Sequence, residues 1–556
     1  MTLLICCVSI SIKIELGRHK KREISRVFLY RKKSRDIVDK LSTKGGGKLK
    51  RAGKLFVIII FMFIGAMVEC EESNISKIDF TEKYRLNYHF MPEKGWMNDP
   101  NGLVFYKDEY HLFYQYYPNG TEWGAPHWGH AVSKDLLHWE HLPIALYPDR
   151  NGYIFSGSVV VDKNNSSGFF GEEKEGLVAV FTHAGSRQHQ SIAYSKDRGR
   201  TWTKYEGNPV IRNSIKRGFP DDFRDPKVSW NKMLNRWLMA LAAGDHIELW
   251  SSENLKEWTK ESEFGKNMGA HGGVWECPDL FEMAVNNGDE KKWVMIVSLN
   301  PGNRFGGSGT QYFIGELKTV DGKLNFVTEQ NETKWVDGGK DNYAGITWEN
   351  VENKRYFIGW MSNWEYCNIT PTNSWRGAMT LPREMELVKK EEKLFLRSRP
   401  IENMDSIIEN VILEKDKIEN GESIKIGECG STSKIAFEVD RGNESCVEAV
   451  LKNGTGESVT AGYDFVTNRG YINREMIKSA KEIQGLGGVH YIEMDYKPTK
   501  IFVEIYSDKS SIELFVNNGD IVITDLIFPK EEFNEIEIRG KMIKNFKIKK
   551  IKNSLK

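Results

Sequence analysis

The chain has 556 residues, more than one ordinary domain holds, and predicts two or three domains. Hydrophobic residues make up 40% and aromatics 12%, with 16 Trp, a surplus of flat rings that fits both sugar stacking and aromatic packing in strands. The net charge of +1 divides unevenly: residues 1–54 carry 16 Lys and Arg against 4 Asp and Glu, and the remainder 62 against 73. An acidic body excludes nucleic acid as the expected partner.

In chain order, the basic extension 1–54 precedes an apolar run, Leu55–Val68. Its 14 residues fall short of the roughly 20 that span a bilayer. They suit a signal-peptide core, with Lys48, Lys50, Arg51 and Lys54 in front and Cys70 behind. A basic region of 54 residues is long for a leader, so residues 55–70 read either as a signal peptide or as an anchor with its basic flank in the cytoplasm. Secretion is the preferred reading. Sequons starting at Asn74, Asn119, Asn164, Asn165, Asn331, Asn368, Asn443 and Asn453 agree with export.

From residue 80 onward short alternating runs recur, among them Tyr110–Tyr114, Ser158–Val161, Arg236–Ala240, Lys292–Ile296 and Arg355–Gly359. Gly, Asn and Asp clusters separate them, so the chain reads as all-β and antiparallel. A corner repeats: Ser133-Lys-Asp-Leu-Leu-His-Trp139, Ser195-Lys-Asp-Arg-Gly-Arg-Thr-Trp202 and Ser252-Glu-Asn-Leu-Lys-Glu-Trp258. Each predicts strand, turn, strand, with the Trp packed back on the sheet. The serines are 62 and 57 residues apart, a period that suits one four-stranded propeller blade, so 80–398 is expected to hold five blades. Residues 399–420 are charged and read as a linker. Strand signals return over 421–556, with the hairpin turn Asn517-Asn518-Gly519, and predict a β-sandwich. Cys429 and Cys446 either pair in an oxidising compartment or remain free. No zinc-ligand spacing is present, and no metal or organic cofactor is expected.

Three acidic motifs carry the chemistry: Trp96-Met-Asn-Asp-Pro-Asn-Gly102, Arg224-Asp225-Pro226 and Glu276-Cys277-Pro278. Each places a carboxylate beside or near a proline, in or next to an expected tight turn. Cleaving a glycosidic bond with retention needs one carboxylate as nucleophile and one as proton donor, roughly 5–5.5 Å apart. Propeller blades could bring such distant acids into one pocket.

These motifs, with Phe155-Ser-Gly-Ser158, Trp375-Arg-Gly-Ala-Met-Thr-Leu-Pro-Arg-Glu384 and Asp508-Lys-Ser-Ser-Ile-Glu-Leu-Phe515, resemble glycoside hydrolase family 32, the β-fructofuranosidases. The resemblance covers about residues 84–550 and implies a five-bladed propeller followed by a sandwich. It implies Asp99 as nucleophile toward a terminal fructosyl unit, Glu276 as acid and base, and Asp225 with Arg224 holding fructose hydroxyls. Asn98, Gln115, Trp123, Phe155, Ser156 and Trp360 match positions expected near the ring, and Tyr343 is a candidate pocket residue. His130 is expected to order a strand. The Asp99 pKa is expected to be low, held by turn amides and Asn98, while Trp275 and Cys277 supply Glu276 with a less polar setting. The expected partner is a small sugar, sucrose or a fructo-oligosaccharide. Competing readings are a fructosyltransferase with the same acids, a sugar-binding propeller without catalysis, and an arabinan- or xylan-cleaving propeller.

Overall fold

The computed structural model describes residues 81–214, 218–427 and 431–554. The basic extension, the apolar run and Cys429, with its expected pairing to Cys446, lie outside the described residues. No helix among the described residues is long and apolar enough to cross a membrane.

The described chain is almost entirely β. Between residues 95 and 400, five antiparallel sheets follow one another, each with four strands added in chain order. Their first strands are Gly95–Tyr106, Tyr153–Asp162, Phe223–Asn231, Val274–Ala284 and Tyr343–Thr347. These strands neighbour one another in a ring, the fifth against the first. One narrow cavity is lined by residues of all five, Asn101, Ser156, Asp225, Cys277 and Ile346 among them. That ring order is the one a five-bladed propeller requires. The short strand Trp375–Arg376 pairs in parallel with Gly95 and Trp96 and joins the fifth sheet's connection to the first sheet.

The repeated corner joins the third strand to the fourth in each of the first three sheets. Ser133 Oγ accepts from the Leu136 amide at 2.8 Å, and the Trp139 indole donates to the Leu136 carbonyl at 3.0 Å. Trp202 donates to Gly199 at 2.9 Å and Trp258 to Leu255 at 3.1 Å in the other copies. The serine closes the turn, and the indole covers it while satisfying a carbonyl the turn leaves over.

Beyond Pro400 two six-stranded sheets face each other. Ile435, Phe437, Val439, Leu451, Val503, Ile505 and Leu514 are buried between them. Alternation of buried and half-buried residues along Ser433–Asp440 shows the two-residue period that assigns one face to this core. The linker reading of 399–420 is corrected. Glu402–Ile407 is a single 3₁₀ helix, and Ile408–Lys417 is a strand paired with Ile543–Ile551 at the sheet edge. An edge strand carrying many charges is hard to tell from a linker, because only one of its sides is paired.

Propeller and sandwich are joined through buried charges. Arg383 donates to Asp337 Oδ2 at 2.8 Å and to Glu513 Oε2 at 2.6 Å. His89 bridges Asp508 and Glu513, each contact 2.9 Å. Burial alone would lower the His89 pKa, but hydrogen bonds and charges from both carboxylates prevail and raise it to about 9. A raised folded-state value stabilises the fold fully below the unfolded value near 6.5, and this contribution is lost as pH climbs through about 9. The stability gained is on the order of 3 kcal/mol. Denaturant midpoints measured from pH 6 to 10 should therefore fall across that window, and His89→Gln should flatten the fall. An equally steep fall in the variant would remove His89 as its cause.

Candidate active site

All three acidic motifs lie within first strands rather than in turns, which corrects the turn expectation. Each sits where ladder pairing slips: between Met97 and Pro100, between Arg224 and Lys227 opposite Ala240 and Ala242, and between Glu276 and Asp279. Pro100, Pro226 and Pro278 cannot donate to the ladder, so the strand bulges there and re-aims its side chains. The other two first strands slip at the same level, between Phe155 and Gly157 and between Tyr343 and Ile346. Asp225 (φ 64°), Cys277 (φ 45°) and Ala344 (φ 54°) adopt left-handed backbone at these bulges. Such conformations cost of order 1 kcal/mol each and persist where surrounding packing enforces them.

Five bulges at one level bring together side chains far apart in sequence. Asp99 accepts hydrogen bonds from Ser156 Oγ at 2.6 Å, Asn98 Nδ2 at 3.0 Å and the Cys277 thiol at 3.4 Å. Asp225 accepts from the Cys277 amide at 3.0 Å, and its own amide donates to Thr182 Oγ1 at 3.1 Å. Arg224 Nη2 donates to Glu276 Oε1 at 2.9 Å, with its Nε 3.9 Å from Asp225. The Tyr343 hydroxyl donates to the other oxygen of Glu276. Cys277 thus touches Asp99 and Asp225, while Arg224 spans Asp225 and Glu276.

The electrostatics differ from expectation at Asp99. Its carboxylate partners are side chains, not turn amides. Burial first, then the negative charge of Glu276, push its pKa above the ordinary carboxylate range against the bonds from Ser156, Asn98 and Cys277. Asp225 is raised to about 7, chiefly by burial; Arg224 opposes this, while Glu276 and Asp99 add to it. Burial also pushes the Cys277 thiol up, followed by the three neighbouring carboxylates, so it stays protonated and donates.

Buried aromatic rings pack beside the acids, in one cluster with Cys277. Trp96 and Trp360 are fully buried with centroids 5.9 Å apart, Trp360 meets Tyr343 edge-on at 6.4 Å, and Trp96 anchors Asn98 Oδ1 at 2.8 Å. The Trp360 indole nitrogen and Gln115 Nε2 are buried without a hydrogen-bond partner among the described residues. Trp123, 44% exposed, lies edge-on to half-buried Phe155 at 6.4 Å. His130 is buried against His111 and Phe113, in keeping with a packing role.

The sequence reading missed several contributors. Cys277 was seen only as a flank of Glu276, although its motif carried the signal. Thr182, Gln188 and Asp222, which hold Asp225 and Arg224 in place, carry no local motif. One His-acid group among the described residues, His246, Glu248 and Glu263, has ligand-type atoms within 4.8 Å, but the Lys260 ammonium bonds both carboxylates.

Two carboxylates beside buried aromatic rings, with a third acid and a guanidinium next to them, supply the groups that glycosidic cleavage needs. The family models for the glycosyl hydrolases family 32 N-terminal domain and the family 32 C-terminal domain match residues 89–398 and 404–552. The chain belongs to glycosyl hydrolase family 32. It is 44% identical over 502 residues to a levanase of Bacillus subtilis, covering 87% of this chain and 72% of that one. The exo-inulinase of Aspergillus awamori superposes with a TM-score of 0.78 at 34% identity, over 86% of this chain and all of that one. A fructofuranosidase variant of Schwanniomyces occidentalis complexed with fructosylnystose superposes at 0.76 and 34%, over 86% and 99% of the two chains.

Proposed function

We propose that the protein is an exo-acting, retaining β-fructofuranosidase that releases fructose from sucrose and short β-fructans. One observation carries the reading: Asp99, Asp225 and Glu276, from three different sheets, are tied together by Cys277 and Arg224. In the first step an Asp99 oxygen bonds to the anomeric carbon of the terminal fructosyl unit. The glycosidic C–O bond breaks as Glu276 gives its proton to the departing oxygen. In the second step Glu276 takes a proton from water, whose oxygen displaces Asp99 and frees fructose. Asp225 and Arg224 hold ring hydroxyls, and Asn98, Ser156, Gln115 and Trp360 complete the fructosyl pocket. Trp123 and Phe155 lie at the rim, where the leaving group departs. Tyr343 and Arg224 hold the two oxygens of Glu276 in position.

Export is part of the proposal. It is supported by the apolar run at 55–68 and by likeness to an exo-inulinase of Aspergillus awamori named as extracellular, 36% identical over 490 residues.

Sucrose, raffinose, inulin and levan supplied separately, with products identified, test the reading. Free fructose that is initially the β anomer is the expected product. Absence of fructose, or an inverted anomer, would overturn hydrolysis with retention. Fructosyl-extended sugars as the main product at high sucrose would favour a fructosyltransferase.

A further inference from the structure

The catalytic acids occupy the leading ends of their strands. The trailing ends of Phe223–Asn231 and Val274–Ala284 border a second cavity of about 310 Å³. Trp230, Met233, Glu282, Lys291 and Arg355 are among its lining residues. Trp230 follows Asp225 by five positions in the same strand, about 17 Å along extended backbone. The cavity therefore lies toward the opposite face of the sheet ring and shares no residue with the catalytic pocket.

Its chemistry is specific. Trp230 is 38% exposed and Met233 59%, two large apolar side chains lining the same cavity. Trp237 meets Trp230 edge-on at 5.1 Å. Around this platform stand charged groups. Glu282 pairs with Lys291 at 3.1 Å, and Arg355 lies over the Phe281 ring at 4.8 Å while donating to the Trp348 carbonyl at 3.3 Å. The charged lining residues nearly balance, Lys232, Lys291 and Arg355 against Glu282 and Glu349, which suits a neutral ligand better than a polyanion. An exposed indole receives the C–H face of a sugar ring, and carboxylate, ammonium and guanidinium groups receive its hydroxyls. The volume is at the small end for ligand pockets and fits a short oligosaccharide segment.

We propose that this cavity is a second, non-catalytic binding site for a segment of β-fructan. The proposal rests on the fructofuranosidase reading above. A polymer held there by an internal segment keeps its free fructosyl end at high local concentration near the catalytic pocket; sucrose, too small to be held while presenting another end, gains nothing.

The test compares Trp230→Ala, and separately Glu282→Ala with Lys291→Ala, with the parent enzyme on sucrose, inulin and levan. Expected are unchanged kcat and KM on sucrose and a KM on at least one polymer raised about five-fold or more. In an Asp99→Asn background, titration with a fructo-tetraose should show two binding sites, reduced to one by Trp230→Ala. Unchanged polymer KM in both variants, or a single binding site before Trp230 is altered, would overturn the second site while sucrose hydrolysis still stood. If Trp230→Ala lost sucrose activity through misfolding, the Glu282 and Lys291 variant, altered only at half-exposed ends of an ion pair, would decide. A parent that does not cleave sucrose would instead count against the fructofuranosidase reading.

Discussion

Asp99→Asn is expected to lower kcat on sucrose by roughly four orders of magnitude, with the folded state unchanged. An amide of the same size keeps the contacts with Ser156 and the shape of the pocket, but it cannot form the bond to the anomeric carbon that divides the reaction into two displacements. Glu276→Gln should cost a similar factor on sucrose for a different reason, because the amide cannot protonate the departing oxygen. A substrate whose leaving group needs no proton separates the two roles. With fructosyl fluoride, Glu276→Gln should form the fructosyl-enzyme at a rate near that of the parent, and Asp99→Asn should not form it. Rapid-quench measurement of fluoride release reads this directly. Near-normal kcat on sucrose in either variant, or fluoride release restored in Asp99→Asn alone, would remove or reverse the assigned roles.

The second large effect is on stability. Arg383 is fully buried, and its guanidinium holds Asp337 from the propeller side together with Glu513 and Thr524 from the sandwich. Arg383→Ala leaves Asp337 buried without its cation and Glu513 with His89 alone, and breaking a buried pair in this way costs about 3–5 kcal/mol. The lost packing of the long stem over Phe515, 5.3 Å from the guanidinium carbon, adds to that. Lysine at the same position restores one charge but not the fork, so Arg383→Lys should recover only part of the loss. Urea denaturation followed by tryptophan fluorescence measures both. A midpoint for Arg383→Ala within error of the parent would mean that water or a neighbouring cation compensates the exposed acids.

The acids were legible in the sequence because each lies in a short motif whose residues act on one another locally: a carboxylate, then a proline that breaks the ladder beside it. The repeated Ser-Asp-Trp corner was legible for the same reason, since its hydrogen bonds close within a few residues. The partners of those acids were not. Thr182 reaches Asp225 from 43 positions away and Gln188 reaches Arg224 from 36, and neither residue type is unusual where it stands. The strand Ile408–Lys417 was hidden by its charges, which belong on an edge with one free side. The cavity beside Trp230 was invisible because it is assembled from strand ends of separate sheets.

The order of sheets, the presence of a second β domain and the three acids that the fold brings together follow from local patterns: alternation, a repeat near sixty residues, and three proline-marked acids. Protonation does not follow from local patterns. Asp99 was expected to be held low by its own turn, yet burial and the charge of Glu276, brought in from another sheet, raise it. A pKa depends on solvent exclusion and on charges within a few ångströms, and both are set only when the five sheets close around one axis.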